Sequence, residues 1–267
     1  MHLFKLYLRF VIVYIKSICE YRAALLIDIV VQFAIFGSSF AVIWVIAQRF
    51  QTVGGWNYYE LIFLYNLNML SYGIAGFVFW EPMRELNYAV RKGTFDSMLI
   101  YPLNPLIHLC FRNIAHQNIG NVILGGIVFA VCFQHLPILW TIPKMVWFIL
   151  TIISGSLIQF CLMVLVGACN FWLKQARGVF NLTFFGLKNF LDYPIKIYDS
   201  GIQFLLTFIV PYAFVNFYPA QYFLDKSGDF LFHPLLQFTA PFIAILFLIV
   251  TLRVWKIGLY RYESAGS

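Results

Sequence analysis

Residues 81–105 read EPMRELNYAVRKGTFDSMLIYPLNP, and the reading of this stretch decides the rest. It is the longest polar interruption in the first two-thirds of an otherwise apolar chain. Apolar runs of membrane-spanning length flank it, residues 58–80 before and 106–133 after. A polar loop between two spans lies in water on one side of the membrane. Arg84, Arg91 and Lys92 assign it to the cytoplasm, because loops rich in Lys and Arg stay inside. Residues 81–92 carry charges on both faces and are expected to form a short helix that Gly93 ends. Pro102 and Pro105, with Asn104 between them, break structure again before the next span. A short helix held at both ends by spans transmits force. We read the loop as a handle for a soluble engine on the cytoplasmic side; an ordinary connecting loop is the plainer alternative.

The composition agrees with spans on either side. Of 267 residues, 62% are hydrophobic and 11% charged, where a soluble domain is nearer a quarter charged. The fold class expected is an all-α polytopic membrane protein, and at about 20 residues per span the apolar runs allow about six helices. Little chain is left for a soluble domain, so residues 1–267 read as one transmembrane domain. The net charge of +7 sits singly at span ends, where it meets lipid headgroups; it is not a nucleic-acid footprint. The five cysteines (19, 110, 132, 161 and 169) form no C-x-x-C pair and read as small packing residues, with no metal site expected. No cleavable signal peptide is expected either.

In chain order, Lys5, Arg9 and Lys16 share a helical face, so residues 1–22 are expected to form an amphipathic helix on the membrane surface. Residues 23–47 form the first span, with Asp28 and Gln32 turned toward protein. An outer loop with Gly54 and Gly55 leads to the second span, 58–80. In the third, 106–133, His108, Arg112 and His116 recur every four residues, and Asn113, Gln117 and Asn121 make a parallel row. A polar stripe of this length avoids lipid. It lines a substrate path, binds a partner subunit, or joins helices near the interface. Two histidines without a third ligand do not make a metal site. The fourth span, 144–172, carries Ser154, Gly155, Ser156, Gly167 and Ala168 for close helix contact. The fifth, 178–191, is short. Asp192, Tyr193 and Pro194 break it, and a second apolar run is bounded by Pro211 and Pro219. Residues 192–219 therefore read as a re-entrant hairpin on the outer side, with Lys188 and Asp192 paired near the outer boundary. The sixth span covers 235–255. Most of the 18 Lys and Arg residues then fall inside, with both termini cytoplasmic.

No phosphate loop, G-x-G-x-x-G, H-E-x-x-H or G-x-S-x-G is present. No span holds a pair of carboxylates for an ion relay. The chain therefore has no motif for hydrolysing ATP, and energy for movement has to come from another protein.

Three stretches carry a family resemblance. The first is Lys92-Gly93-Thr94-Phe95-Asp96 with Leu99 and the run YPLNPL over 101–106. It is similar to a G-x-x-D-x-x-L-x-x-P-x-N signature, although Tyr101 stands where a basic residue is usual. The second is Tyr193-Pro194-Ile195, then IVPYAF over 209–214 and Tyr218-Pro219-Ala220. The third is Trp255, Gly258, Leu259 and YRYESAG over 260–266. In this order the chain resembles the membrane-spanning subunit of a type-2 ATP-binding-cassette (ABC) exporter, in the six-span bacterial branch.

The resemblance implies two permeases, identical or paired with a sister chain, assembled with two ABC ATPase subunits in the bacterial cytoplasmic membrane. A coupling helix would dock on the ATPase through Glu81, Arg84, Glu85, Arg91, Lys92, Gly93 and Asp96. Pro194, Pro211 and Pro219 would shape an outer gate. ATP and magnesium would belong to the ATPase, with no cofactor and no catalysis on this chain, and ATP would drive an alternating-access switch. Two other readings compete. A membrane-embedded transferase would use His108, Arg112 and His116, but no carboxylate accompanies them in that span. An ATPase-independent carrier would show internal repeat symmetry, and the halves are not convincingly similar. The aromatic and apolar lining suits a lipid, drug or peptide and does not choose among them.

Overall fold

The structure is a computed structural model that describes residues 22–50, 52–101, 104–112, 115, 118–173, 176–226 and 231–263. The surface helix expected over 1–22 lies outside the described residues except for Arg22. So do Pro102, Asn113, His116 and Gln117, and the side chains of Asp28 and Arg112.

The described residues are almost wholly helical. Eleven α-helices are present among them: α1 (Arg22–Phe50), α2 (Tyr58–Lys92), α3 (Phe95–Leu99), α4 (Pro105–Arg112), α5 (Ile119–His135), α6 (Ile142–Ala168), α7 (Asn170–Leu173), α8 (Arg177–Asn181), α9 (Ser200–Phe204), α10 (Phe217–Phe223) and α11 (Ala240–Arg261). Four segments are long and apolar enough to cross a membrane: Val30–Phe50, Tyr58–Lys92, Ile142–Leu173 and Ala240–Arg261. A fifth crossing is present if the bent pair Ser200–Ile209 and Tyr212–Phe223 counts as one span. Helix α5 is apolar but has 17 residues, or about 25 Å at 1.5 Å per residue, a little under the hydrocarbon thickness of about 30 Å. Lengths alone thus give four or five spans among the described residues, where the sequence suggests six.

Helix α2 corrects the reading of residues 81–92. They are not a separate short helix. The helix that begins at Tyr58 runs through Pro82 and ends only at Lys92. Its start is fixed by a capping box: Asn57 Oδ1 accepts the Glu60 N–H at 3.1 Å, and the Glu60 carboxylate accepts the Asn57 N–H at 2.8 Å. Its 35 residues span about 52 Å, so the last three turns stand clear of a hydrocarbon layer of about 30 Å. These turns stay helical because one face is buried. Met83, Leu86, Ala89 and Val90 pack inward, and a Cβ on Gly167 of α6 would lie 2.5 Å from Met83 Sδ.

The third span is also corrected. Ala115 lies outside any helix and gives its N–H to Phe77 O at 3.0 Å. One helix therefore does not run from 106 to 133. Most of residues 112–118 (RNIAHQN) are polar, a composition that interrupts an apolar span.

Helix α2 is the centre of the bundle, with α5 and α6 against it and α11 against α6. The contact with α5 and α6 joins rings, such as Phe63 on Phe129 and Phe79 on Phe160, with buried amides. Asn66 Nδ2 donates to Gly125 O at 2.9 Å, and Gln159 Nε2 donates to Asn68 Oδ1 at 3.0 Å, both buried. Such bonds hold membrane helices together because a buried amide in hydrocarbon finds no water. At the end opposite α3, Trp56 is fully buried and stacks on Phe217 at 5.9 Å. Lys226 ties the same corner by bonding Glu60 at 2.8 Å and Gly55 O at 3.0 Å.

Residues 182–223 are the irregular part. A π turn over Leu182–Gly186 and a 3₁₀ turn over Leu187–Asp192 continue α8. After α9 and a π turn over Leu205–Ile209, the chain bends by 76°. Pro211 sits at the bend. Beyond it Tyr212, Phe214, Phe217 and Tyr218 are buried. Buried polar side chains beside such a bend need partners. Asn216 Nδ2 donates to Leu191 O at 2.7 Å and to Leu64 O at 3.4 Å, and the Tyr212 hydroxyl donates to Thr183 O at 3.2 Å. Pro219 falls in the first turn of α10, where no helix bond is lost. Pro194 precedes a 3₁₀ turn over Ile195–Ile197.

Candidate functional site

The site grows from the end of α2. Gly93 closes the helix with φ of 70° and donates its N–H to Val90 O at 3.4 Å. The chain then turns into α3, with Ser97 Oγ donating to Thr94 O at 2.7 Å. Next in the chain comes α4. Asn104 caps it by accepting the Leu106 N–H at 3.0 Å through its side chain, and Pro105 opens it. Helices α2, α3 and α4 thus make an elbow. A Cβ at Gly93 would meet nothing within 4 Å, so only the left-handed backbone demands glycine there. Gly93→Ala is expected to cost about 1–2 kcal/mol, read as a lower melting temperature of the purified chain, with Gly93→Asn losing less.

Two links tie the elbow to the bundle. The first is aromatic. Phe95 is fully buried, and its ring meets Phe171 of α7 at 5.5 Å and Tyr262, just past α11, at 5.1 Å. Phe171 in turn meets Trp255 of α11 at 5.2 Å. Gly258 lets α11 approach this knot, since a Cβ there would lie 2.6 Å from Phe171 Cδ2. The second link is polar. Asn87 Nδ2 donates to Asn170 Oδ1 at 2.6 Å, and Asn170 donates to Gly167 O at 2.8 Å while accepting the Ala176 N–H at 3.1 Å. Rings thus join α3 to α7 and to the end of α11, and amides join α2 to α6 and α7.

The tip of the elbow, past exposed Thr94 and Ser97, is apolar. Ile100 is 84% exposed and Tyr101 57%. Glu81, Arg84, Glu85, Arg91 and Lys92 lie on the last turns of α2, and Asp96 on α3. Glu81 and Arg84 pair at 3.1 Å, one turn apart, and the Lys92 ammonium lies 5.2 Å from the Tyr88 ring.

Of the polar stripe expected on the third span, His108 and Asn121 have described side chains, while Asn113, His116, Gln117 and the side chain of Arg112 lie outside the described residues. His108 belongs to α4 and meets Tyr101 edge-on at 4.8 Å, inside the elbow. Arg112 ends α4. Asn121 is buried in α5, where its Nδ2 donates to Asn118 Oδ1 at 3.1 Å against Gly73 of α2. Among the described residues no three of His, Cys, Asp and Glu converge as metal ligands would.

Two features escape a reading by spans. One is a cavity of about 480 Å³ between the last turns of α2, the end of α6, and residues 176–185. The other is the position of Lys188. Its ammonium lies 3.7 Å from the Tyr72 ring centre and 5.9 Å from that of Phe36, with Asp192 as its charge partner. Tyr72 is about 21 Å along α2 from its start. Lys188 therefore packs well along α2 from its start, against Tyr72.

A family model described as ABC-2 family transporter protein matches residues 33–266. No curated protein matches the chain, and no solved structure matches it.

Proposed function

The chain belongs to the ABC-2 transporter family and is a transmembrane transporter subunit, and from this premise we propose that it is an export permease driven by a separate ABC ATPase through the elbow. Membership implies association with an ABC ATPase and a multi-pass membrane location. The observation that carries the finer reading is the exposed apolar tip of the elbow, Ile100 and Tyr101, joined to the bundle through Phe95. Exposed apolar surface beyond the membrane marks a docking face, and a face docked without a rigid link would move nothing.

In this reading the ATPase grips α3 and the flanking charges Glu81, Arg84, Glu85, Arg91, Lys92 and Asp96. The ATPase holds the ATP and magnesium. Two permeases assemble, as identical copies or as sister chains, with both termini in the cytoplasm of a bacterium. The buried bend at Pro211, with Pro194 and Pro219 on either side, is the outer gate. His108 packs on Tyr101 in the elbow and Asn121 bonds Asn118, contacts that favour the permease reading over a transferase or carrier built on one polar stripe. The orientation is tested by single cysteines placed in a cysteine-free background. Ser97→Cys is expected to react only with reagents that enter the cytoplasm, and Thr52→Cys only with impermeant reagents added outside. The reverse labelling would overturn the orientation and the docking together.

A further inference from the structure

We propose that the cavity between α2, α6 and residues 176–185 binds the anionic headgroup of an amphiphile. Its walls separate by chemistry. Arg84 and Arg91 of α2 and Arg177 of α8 line it, with Asn87 and Asn181 between them, and among the described residues no carboxylate lines it. Arg84 is balanced by Glu81 at 3.1 Å, whereas no carboxylate pairs with Arg91 or Arg177 among the described residues. Deeper along α2 the wall turns aromatic. Trp80 meets Phe180 at 5.0 Å, and Phe180 meets Phe185 at 6.2 Å. From Trp80 to Arg91 the helix climbs about 16 Å, from ring stack to guanidinium.

This order of groups selects the ligand. Guanidinium groups take phosphate or carboxylate through paired N–H bonds. The aromatic floor takes the carbons next to the headgroup. The volume of about 480 Å³ falls in the range of small-molecule sites and holds a headgroup with its first carbons, not two full acyl chains. Leu182 and Phe185 are exposed beside it, so a tail leaves the cavity along them into lipid. A soluble acidic peptide would satisfy the arginines but would leave the aromatic floor unused. Arginines at a membrane boundary commonly meet bulk headgroups without any site. What distinguishes this place is the concave wall in which Arg84, Asn87 and Arg91, at positions i, i+3 and i+7 of α2, face Arg177 across a floor of rings.

The ligand is an anionic amphiphile of either of two sources, a resident membrane lipid or the transported compound. The proposal rests on the permease reading only for the second. The test is native mass spectrometry of the full chain in neutral detergent, with lysophosphatidylglycerol as the anionic probe and lysophosphatidylcholine as the zwitterionic one. The wild type is expected to retain the anionic probe, and Arg91→Gln with Arg177→Gln to weaken it about tenfold or more, the loss of two charge-assisted contacts. Arg49→Gln, at the far end of α1, is expected to change nothing. Because Arg91 and Arg177 are exposed, the double variant keeps its fold, checked by an unchanged melting temperature. Equal binding of both probes, or of the anionic probe by wild type and double variant, would overturn the site. Those readouts need no ATPase, so they stand or fall apart from the permease reading. In proteoliposomes with the ATPase, loss of the bound anion during turnover supports the site and makes it a cargo site. Retention supports the site and makes the ligand a resident lipid.

Discussion

Asp192→Asn is expected to destabilise the chain by about 3–5 kcal/mol, the usual cost of breaking a buried ion pair from one side. Lys188 lies against the rings of Tyr72 and Phe36, about 21 Å along α2, and its charge partner is Asp192. Removing the carboxylate leaves an ammonium in a place where water is scarce. The residues around Asp192 do not replace it: Ser38, Ser39, Tyr65 and Tyr193 line a small space beside it with it, and none is an anion. The double variant Asp192→Asn with Lys188→Met removes both charges and keeps the volume of the stem. It is expected to regain most of the lost stability, because a pair replaced by apolar groups costs far less than a pair halved. Melting in detergent, or yield of monodisperse protein, measures both variants. If the single and double variants melt alike, Lys188 is not held by Asp192.

The second large effect is expected at Phe95. Phe95→Ala empties the centre of a ring cluster shared by α3, α7 and the residue after α11. A buried Phe→Ala change costs about 3–5 kcal/mol. Here the loss falls on the contact that joins the elbow to the bundle. Transport and ATPase stimulation in proteoliposomes with the partner ATPase are expected to fall about tenfold or more, since that energy exceeds 1.4 kcal/mol per tenfold. Insertion into the membrane is expected to remain, because no spanning segment loses apolar length. Phe95→Leu keeps volume and is expected to retain most activity. Full activity in Phe95→Ala would show that the elbow moves the bundle by some other contact.

The sequence makes the membrane class, the approximate extent of α6, and the stop at Gly93 legible, because each rests on a local signal: long apolar runs, or a residue suited to positive φ; α11 instead starts later than the expected 235 and runs past 255 to Arg261. The extent of α2 was also present and misread. Met83, Leu86 and Val90 recur at i, i+3 and i+7 opposite Arg84 and Arg91, an amphipathic pattern. The charges on both faces of residues 81–92 favour a separate short helix instead. Once α2 is read as continuous, Arg84, Asn87 and Arg91 fall on one face, and half of the cavity becomes visible. The other half, Arg177 and Asn181, is one turn of α8 and meets α2 only through the fold. The break at Ala115 had a signal in the polar run around it, but a four-residue spacing looked like a helix face. The depth of Lys188 had none, because π and 3₁₀ turns carry no sequence period that fixes where a side chain ends up.

The central claim is that a separate ATPase grips the elbow. Its most direct test is a cross-link from Ile100→Cys, at the most exposed apolar position of the elbow, in a cysteine-free chain purified gently with its native partners. The expected result is an adduct with a protein that carries a phosphate-loop ATPase motif, diminished when Phe95→Ala loosens the elbow. The contradicting result is a chain that transports in proteoliposomes on its own, with Ile100→Cys cross-linked to no ATPase and labelled from outside the cell.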